Sequence, residues 1–139
     1  MGEWGSITAF YTVLVEGDGT GDPIAEESRG ILDGHIVLSR AIAARSHFPA
    51  IDVLQSRSRV MDAVVSATHR NAASLFRDLL SRYADTEFLI NVGEYKQGGD
   101  PLTDRAVASI GDLREFLRQS EDEVSDFEET AAWMSRLTA

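Results

Sequence analysis

HFPAIDVLQSRSRVM, residues 47–61, is the stretch around which the chain is organised. An aromatic, Phe48, precedes Pro49; Asp52 follows; Arg57 and Arg59 alternate with Ser56 and Ser58. Before it stands HIVL, residues 35–38, a short apolar run of the kind that forms a buried strand. After it, from Ser66, a long helical pattern begins. A polar, arginine-bearing connection between a strand and a helix is where sites are commonly carried. On its own the stretch indicates an anion contact beside an aromatic ring, and the rest of the chain has to say which anion.

Working outward toward the N-terminus, Ser6 to Val15 (SITAFYTVLV) is nearly all β-branched, aromatic or apolar. It predicts a strand buried on both faces, as in a parallel sheet, which needs neighbours on both sides. Glu16 to Asp22 is a loop by its glycines. Asp22 is placed to cap a helix with Pro23 in its first turn, running to about Leu32, where Asp33-Gly34 stops it. Ser39 is placed to cap a further helix, RAIAAR, that ends before Pro49. The segment to Arg59 reads as irregular, with Asp52 bracing it. Residues 1–65 thus resolve into strand, loop, helix, strand, helix and loop, the tail of an α/β domain.

Toward the C-terminus, Ala72, Leu75, Phe76, Leu79, Leu80 and Tyr83 recur at intervals of three and four, an amphipathic helix. The pattern resumes at Phe88, Leu89 and Val92 after a break near Asp85, with Gly93 as its stop. Gly98-Gly99-Asp100-Pro101 is a turn. Thr103 is expected to cap a helix over about 104–110, and Leu113, Phe116 and Leu117 mark the next. Ser125 and Glu128 have the spacing of a capping box for a last helix carrying Phe127, Ala131, Met134 and Leu137. No strand is predicted after residue 65, so residues 66–139 read as a helical lobe.

Composition narrows the function. A chain of 139 residues is one domain, or a lobe with part of another. The net charge of −10 argues against a broad nucleic-acid surface. Six acids between Glu121 and Glu129, with no base among them, are either a solvated helix entry or a dock for a basic partner. Without cysteine there is neither a disulfide nor a thiolate metal site, and three scattered histidines make no metal cluster. The single lysine, Lys96, is followed by Gln97 and lacks the glycine frame of a P-loop. No apolar run reaches the eighteen residues of a membrane span, and MGEWGSITAF lacks the basic and apolar regions of a signal peptide.

Three blocks, taken in order and spacing, carry a resemblance: GSITAFYTVLVEGD (Gly5 to Asp18), DPIAEESRGILDGHIVLSR (Asp22 to Arg40) and the opening stretch itself. Together they closely resemble the C-terminal part of type III secretion ATPases, the flagellar and injectisome export motors, which are similar to the rotary F-type ATP synthase subunits. The match runs from residue 5 to about 120. It implies a C-terminal remnant of a RecA-like nucleotide-binding domain over residues 1–65, about two strands with short helices, followed by an all-helical C-terminal domain over residues 66–139. The family's P-loop, magnesium-binding aspartate and catalytic glutamate would then lie upstream, and the chain is expected to be a piece of a longer protein. Two departures stand out: Gly19 follows Asp18 where the family often has a second acid, and Phe48 stands where it often has tyrosine.

The resemblance also implies roles. Arg59 matches the arginine finger that reaches the γ-phosphate of a neighbouring subunit's ATP. The alternative from the residues alone is a salt bridge that holds the loop. Phe48 matches the ring that stacks on adenine, where phenylalanine keeps the flat apolar face; otherwise it is a core aromatic before a proline. Phe116 matches the other side of that pocket. Residues 93–104, GEYKQGGDPLTD, fall where the rotary relatives touch a central stalk, or are an ordinary interhelical loop. The implied whole is a cytoplasmic homohexamer, peripheral at the bacterial inner membrane. It would split Mg-ATP to release cargo from chaperones and drive export, with a stalk protein and chaperone–cargo complexes as partners and no nucleic acid. The isolated piece is expected to be inactive. A second reading makes it a non-catalytic helical docking module for chaperone–cargo or stalk proteins.

Overall fold

The computed structural model describes residue 5, residues 7–15 and residues 22–139. Its chain falls into two compact units, Met1–Leu32 and Asp33–Ala139. In the first, helix α1 spans Pro23–Ile31, and Asp22 caps it by accepting from the amides of Ile24 and Ala25 at 2.9 and 3.0 Å. The expected buried strand at Ser6–Val15 is not formed. Ser6 lies outside the described residues, and residues 7–15 carry no regular structure and leave Ile7 99% and Leu14 92% exposed. The physical reason is simple: apolarity favours a central strand only where flanking strands supply hydrogen bonds and cover, and no described strand pairs with this segment. The expected loop at Glu16–Asp22 lies outside the described residues except for Asp22.

The second unit begins with strand β1, Gly34–Leu38, paired antiparallel with β2, Ile51–Ser58. This corrects two expectations: the stretch before Arg59 is a strand, not irregular, and the sheet is antiparallel. Strand β2 evaded the sequence reading because its middle leaves the ladder. His35 pairs with Arg57 and Val37 with Asp52, so residues 53–56 stand opposite Ile36 alone. Gly34 admits this pairing, since a Cβ there would lie 2.7 Å from the Arg57 carbonyl oxygen. A short helix, α2 (Arg40–Ala43), joins the strands, and Ser39 caps it through the Ile42 amide at 3.4 Å.

After the one-turn helix α3 (Met61–Val64), α4 runs unbroken over Ala67–Asn91, without the expected interruption near Asp85. Ser66 caps it, and Gly93, at φ +76, follows its end. Helix α5 is one helix, Pro101–Phe116, where two were expected. Its cap is Asp100, which accepts from the Thr103 amide at 3.1 Å, and not Thr103 itself. Helix α6 spans Phe127–Leu137 and is capped by Asp126 through the Glu129 amide at 2.7 Å, one residue beyond the expected Ser125. In both cases a carboxylate at the position before the helix offers a stronger acceptor than the nearby hydroxyl. The core lies among these three helices: Ala72, Phe76 and Leu79 from α4, Ala106 and Leu113 from α5, and Met134 from α6. Leu79 and Leu113 are fully buried, whereas no residue of β1 or β2 is. Among the described residues no helix is long and apolar enough to cross a membrane.

Candidate functional site

The 47–61 stretch is anchored to the helices at its start. The Phe48 carbonyl accepts from the Gln119 amide at 2.9 Å. Nε2 of His47 donates to the Leu117 carbonyl at 3.2 Å. Burial pushes His47 below its ordinary pKa of 6.5; Arg118 and Arg114 act in the same direction, against the Leu117 bond, which raises it. The two backbone contacts bring Phe48, 56% exposed, to the end of α5. Beside it opens a groove of about 510 Å³, walled by Ser46, Phe48 and Trp133.

The rim of this groove carries Glu115, Glu121 and Glu123 against one base, Arg118. A polyphosphate would meet three carboxylates there, whereas an uncharged ring would meet two aromatic side chains. Phe116, expected to close the pocket, packs one layer behind. Its ring lies 5.0 Å from Phe76 and 5.2 Å, edge-on at 81°, from Trp133. Phe116 therefore reaches the groove through Trp133, which lines it.

Arg59 does not line this groove; it sits past the far end of β2. Its amide donates to the Asp33 carbonyl at 2.7 Å, which extends the strand pairing by one bond, and its side chain is exposed. Ser58 Oγ accepts from the Met61 amide at 3.1 Å and turns the chain into α3. The irregular middle of β2 is held by many bonds. Asp52 accepts from the amides of Leu54 and Gln55, each at 3.0 Å. Ser56 Oγ accepts from the Val37 amide at 3.0 Å and donates to the Asp52 carbonyl at 2.6 Å. His35 contacts the Gln55 carbonyl at 3.0 Å. From α4, Arg77 donates to the carbonyls of Val53, of Leu54 at 3.0 Å and of Ser56 at 3.2 Å. The sequence reading missed Arg77, because an arginine on a helix otherwise rich in charge carries no local mark of a partner 21–24 residues away.

The turn between α4 and α5 is equally well tied. Arg82 bridges Asp78 at 3.1 Å and Asp100 at 2.8 Å, which raises its pKa, mainly through the Asp78 bond. Asp100 is held below the ordinary carboxylate value, chiefly by the Thr103 hydroxyl. Tyr95 donates to Asp104, and that bond pushes its phenol up to about 12. Phe88 (71% exposed), Leu89 and Val92 form an apolar surface at the same end of α4.

The family model described as the T3SS EscN ATPase C-terminal domain matches residues 65–136, and that of the ATP synthase alpha/beta family, nucleotide-binding domain, matches residues 1–58. The chain belongs to the type III secretion ATPase family. The type 3 secretion system ATPase of Sinorhizobium fredii is 90% identical over all 139 residues, which make up 31% of that relative. Among solved structures, the assembled ATPase EscN of the enteropathogenic E. coli type III secretion system superposes with a TM-score of 0.92. It is 46% identical, over 96% of this chain and 32% of the EscN chain. EscN in complex with its central stalk EscO superposes with a TM-score of 0.80 at 43% identity, over 84% of this chain and 29% of that one. This member of the type III secretion ATPase family thus spans about a third of the length of the relatives it matches. Its two-stranded antiparallel sheet followed by helices agrees with the expected remnant of a nucleotide-binding domain and a helical C-terminal region.

Proposed function

We propose that this chain is the C-terminal part of an ATP-hydrolysing protein-export motor, and that Arg59 completes the ATP site of a neighbouring subunit in a homohexamer. The observation that carries this reading is the setting of Arg59: a backbone fixed by the Asp33 bond at the end of a braced strand, with an exposed side chain. Charge builds on the transferring phosphoryl oxygens, and a guanidinium carried on a fixed backbone offers paired donors to it. The assembled state of EscN supports such a shared site. Phe48 is the ring that stacks on the chain's own adenine, with Trp133 facing the same groove and Phe116 backing Trp133. The acidic rim suits the base and not the phosphates, which fall to residues upstream together with magnesium. Among the described residues no cluster of three His, Cys, Asp or Glu is set to hold a metal ion. Residues 1–65 then belong to the nucleotide-binding domain and 66–139 to the helical domain, and the hexamer works in the cytoplasm, peripheral at the inner membrane.

The test grafts this chain onto the Sinorhizobium relative in place of its matching third. Arg59→Ala should lower turnover about 1,000-fold with nucleotide affinity nearly unchanged. Phe48→Ala should weaken nucleotide binding instead. Undiminished turnover in Arg59→Ala would refute the proposal, as would hydrolysis by the isolated chain.

A second role rests on a separate observation, the exposed apolar end of α4 beside the braced 93–104 turn, together with the EscN–EscO complex. That end would dock a stalk protein, and the helical lobe would receive chaperone–cargo pairs for release. Phe88→Asp should abolish capture of the stalk protein while basal turnover persists; unchanged capture removes this role.

A further inference from the structure

Strand β2 must present Arg59 from a fixed place, yet its own sheet does little to fix it. Among the described residues it pairs with one strand, none of its residues is fully buried, and residues 53–56 leave the ladder. A bulge of that size leaves a run of carbonyls without cross-strand donors, and each must find another partner. Arg77 supplies three of them from one side chain. Its Nη1 donates to Val53 and Ser56 and its Nη2 to Leu54. It is half-buried on α4, flanked by Phe76 and Leu79 of the helical core. The guanidinium is planar and carries its donors in a fixed fork, so three carbonyls bound to it are fixed relative to one another and to the helix.

We propose that Arg77 is a positioning residue that sets the reach of Arg59 by clamping the bulge of β2 to helix α4. The proposal rests on the reading of Arg59 as the group that acts on the neighbour's ATP. Arg77 touches neither nucleotide nor phosphate; it acts through the strand. Two residues separate its last carbonyl partner, Ser56, from Arg59, and both are held by pairing, Arg57 with His35 and Ser58 with Gly34. Releasing the clamp lets this short run shift along its partner, and a displacement of about 1 Å at a catalytic group is enough to cost about 100-fold in rate. The same helix ends at Asn91, 14 residues or about 21 Å beyond Arg77, where the turn proposed to meet a stalk begins. The clamp is therefore also the point at which α4 meets the strand that carries the finger.

The experiment uses the same graft on the Sinorhizobium relative, with Arg77→Ala, Arg77→Lys, Arg59→Ala and the double variant Arg59→Ala/Arg77→Ala. Oligomeric state is checked by light scattering and nucleotide affinity with a fluorescent ATP analogue. Arg77→Ala should lower kcat about 100-fold with affinity within about twofold. Arg77→Lys should not restore it, because one ammonium cannot span three carbonyls. The double variant should turn over no more slowly than Arg59→Ala, since a misplaced finger and an absent finger are equivalent. If the Arg77 loss instead multiplies onto the residual rate of Arg59→Ala, or if Arg77→Ala keeps full kcat, the proposal is overturned. Should Arg77→Ala fail to assemble, Arg77→Lys carries the same comparison; failure of both would make Arg77 a folding residue and overturn it as well. A normal rate in Arg59→Ala alone would strike down the reading of Arg59, an outcome distinct from any of these.

Discussion

Replacing Phe116 by alanine separates its two possible roles, because the structure makes it first a packing residue. Its ring lies within 5.0 Å of Phe76 and 5.2 Å of Trp133, in tilted and edge-on geometry. Aromatic pairs of this kind contribute about 0.5–1.5 kcal/mol each beyond area burial. Fully buried phenylalanine truncations cost about 3–5 kcal/mol. Phe116 is half-buried, so the lower end applies, and Phe116→Ala should destabilise the helical unit by about 3 kcal/mol. With a urea slope of about 1.5 kcal/mol per molar for a domain of this size, the midpoint should fall by about 2 M. The assay is urea unfolding of the chain followed by tryptophan fluorescence in a Trp4→Phe background, so that Trp133 is the sole reporter. Phe116→Leu, which keeps most of the volume and loses the ring geometry, should fall by about half as much. A loss below about 1 kcal/mol in Phe116→Ala would show that the ring trio does not hold α4, α5 and α6 together, and the argument that Phe116 serves the groove through Trp133 would fail with it.

Other outcomes follow from single contacts. Gly34→Ala places a Cβ 2.7 Å from the Arg57 carbonyl oxygen and 3.3 Å from Ser58 Cα, both backbone atoms, and should cost about 1–3 kcal/mol in urea unfolding; a neutral result would mean that the strands can part there freely. Asp126→Ala should cost about 1 kcal/mol, and Ser125→Ala less than about 0.5, since only Asp126 caps α6; the reverse order would restore the capping box at Ser125. His47, depressed in the fold, takes up its proton at a lower pH there than in the unfolded chain, where it does so near pH 6.5. Its stability is therefore intact above that pH and declines as the pH falls through and below it. Thermal melts at pH 7.5 and 5.5 should drop more in the natural chain than in His47→Gln, and equal drops would remove His47 from the acid sensitivity.

The helical half was legible where one signal dominated. The pattern that begins at Ser66 and the stop at Gly93 bracket α4, and Asp22-Pro23 opens α1 as read. The same Asp-Pro pair at 100–101 was read as a turn, because the glycines before it outweighed the cap it also forms. Two kinds of information were not local. Apolarity at residues 7–15 says what the segment needs, not whether partners are present to supply it. Strand β2 has the opposite difficulty: DVLQSRS shows little alternation, and its order comes from Asp52 and Ser56 within it and from His35 and Arg77, both distant in sequence. For the site, the aromatic before proline and the Ser-Arg block were visible from the resemblance. Trp133 as a wall and Arg77 as a clamp were not, since both depend on which face of a helix meets another element.

The placement of the fully buried residues has a consequence in time. Leu79 and Leu113 belong to helices that follow each other closely in the chain, and contacts between near neighbours form early in folding. Strands β1 and β2 bury no side chain completely and depend on a helix already in place to donate to their carbonyls. Order should therefore spread from the helices to the sheet and be lost in the opposite direction, with amide exchange in β1 and β2 preceding that of α4 and α5. The arginine at the end of β2 would then stand on the last part of the unit to form and the first to open.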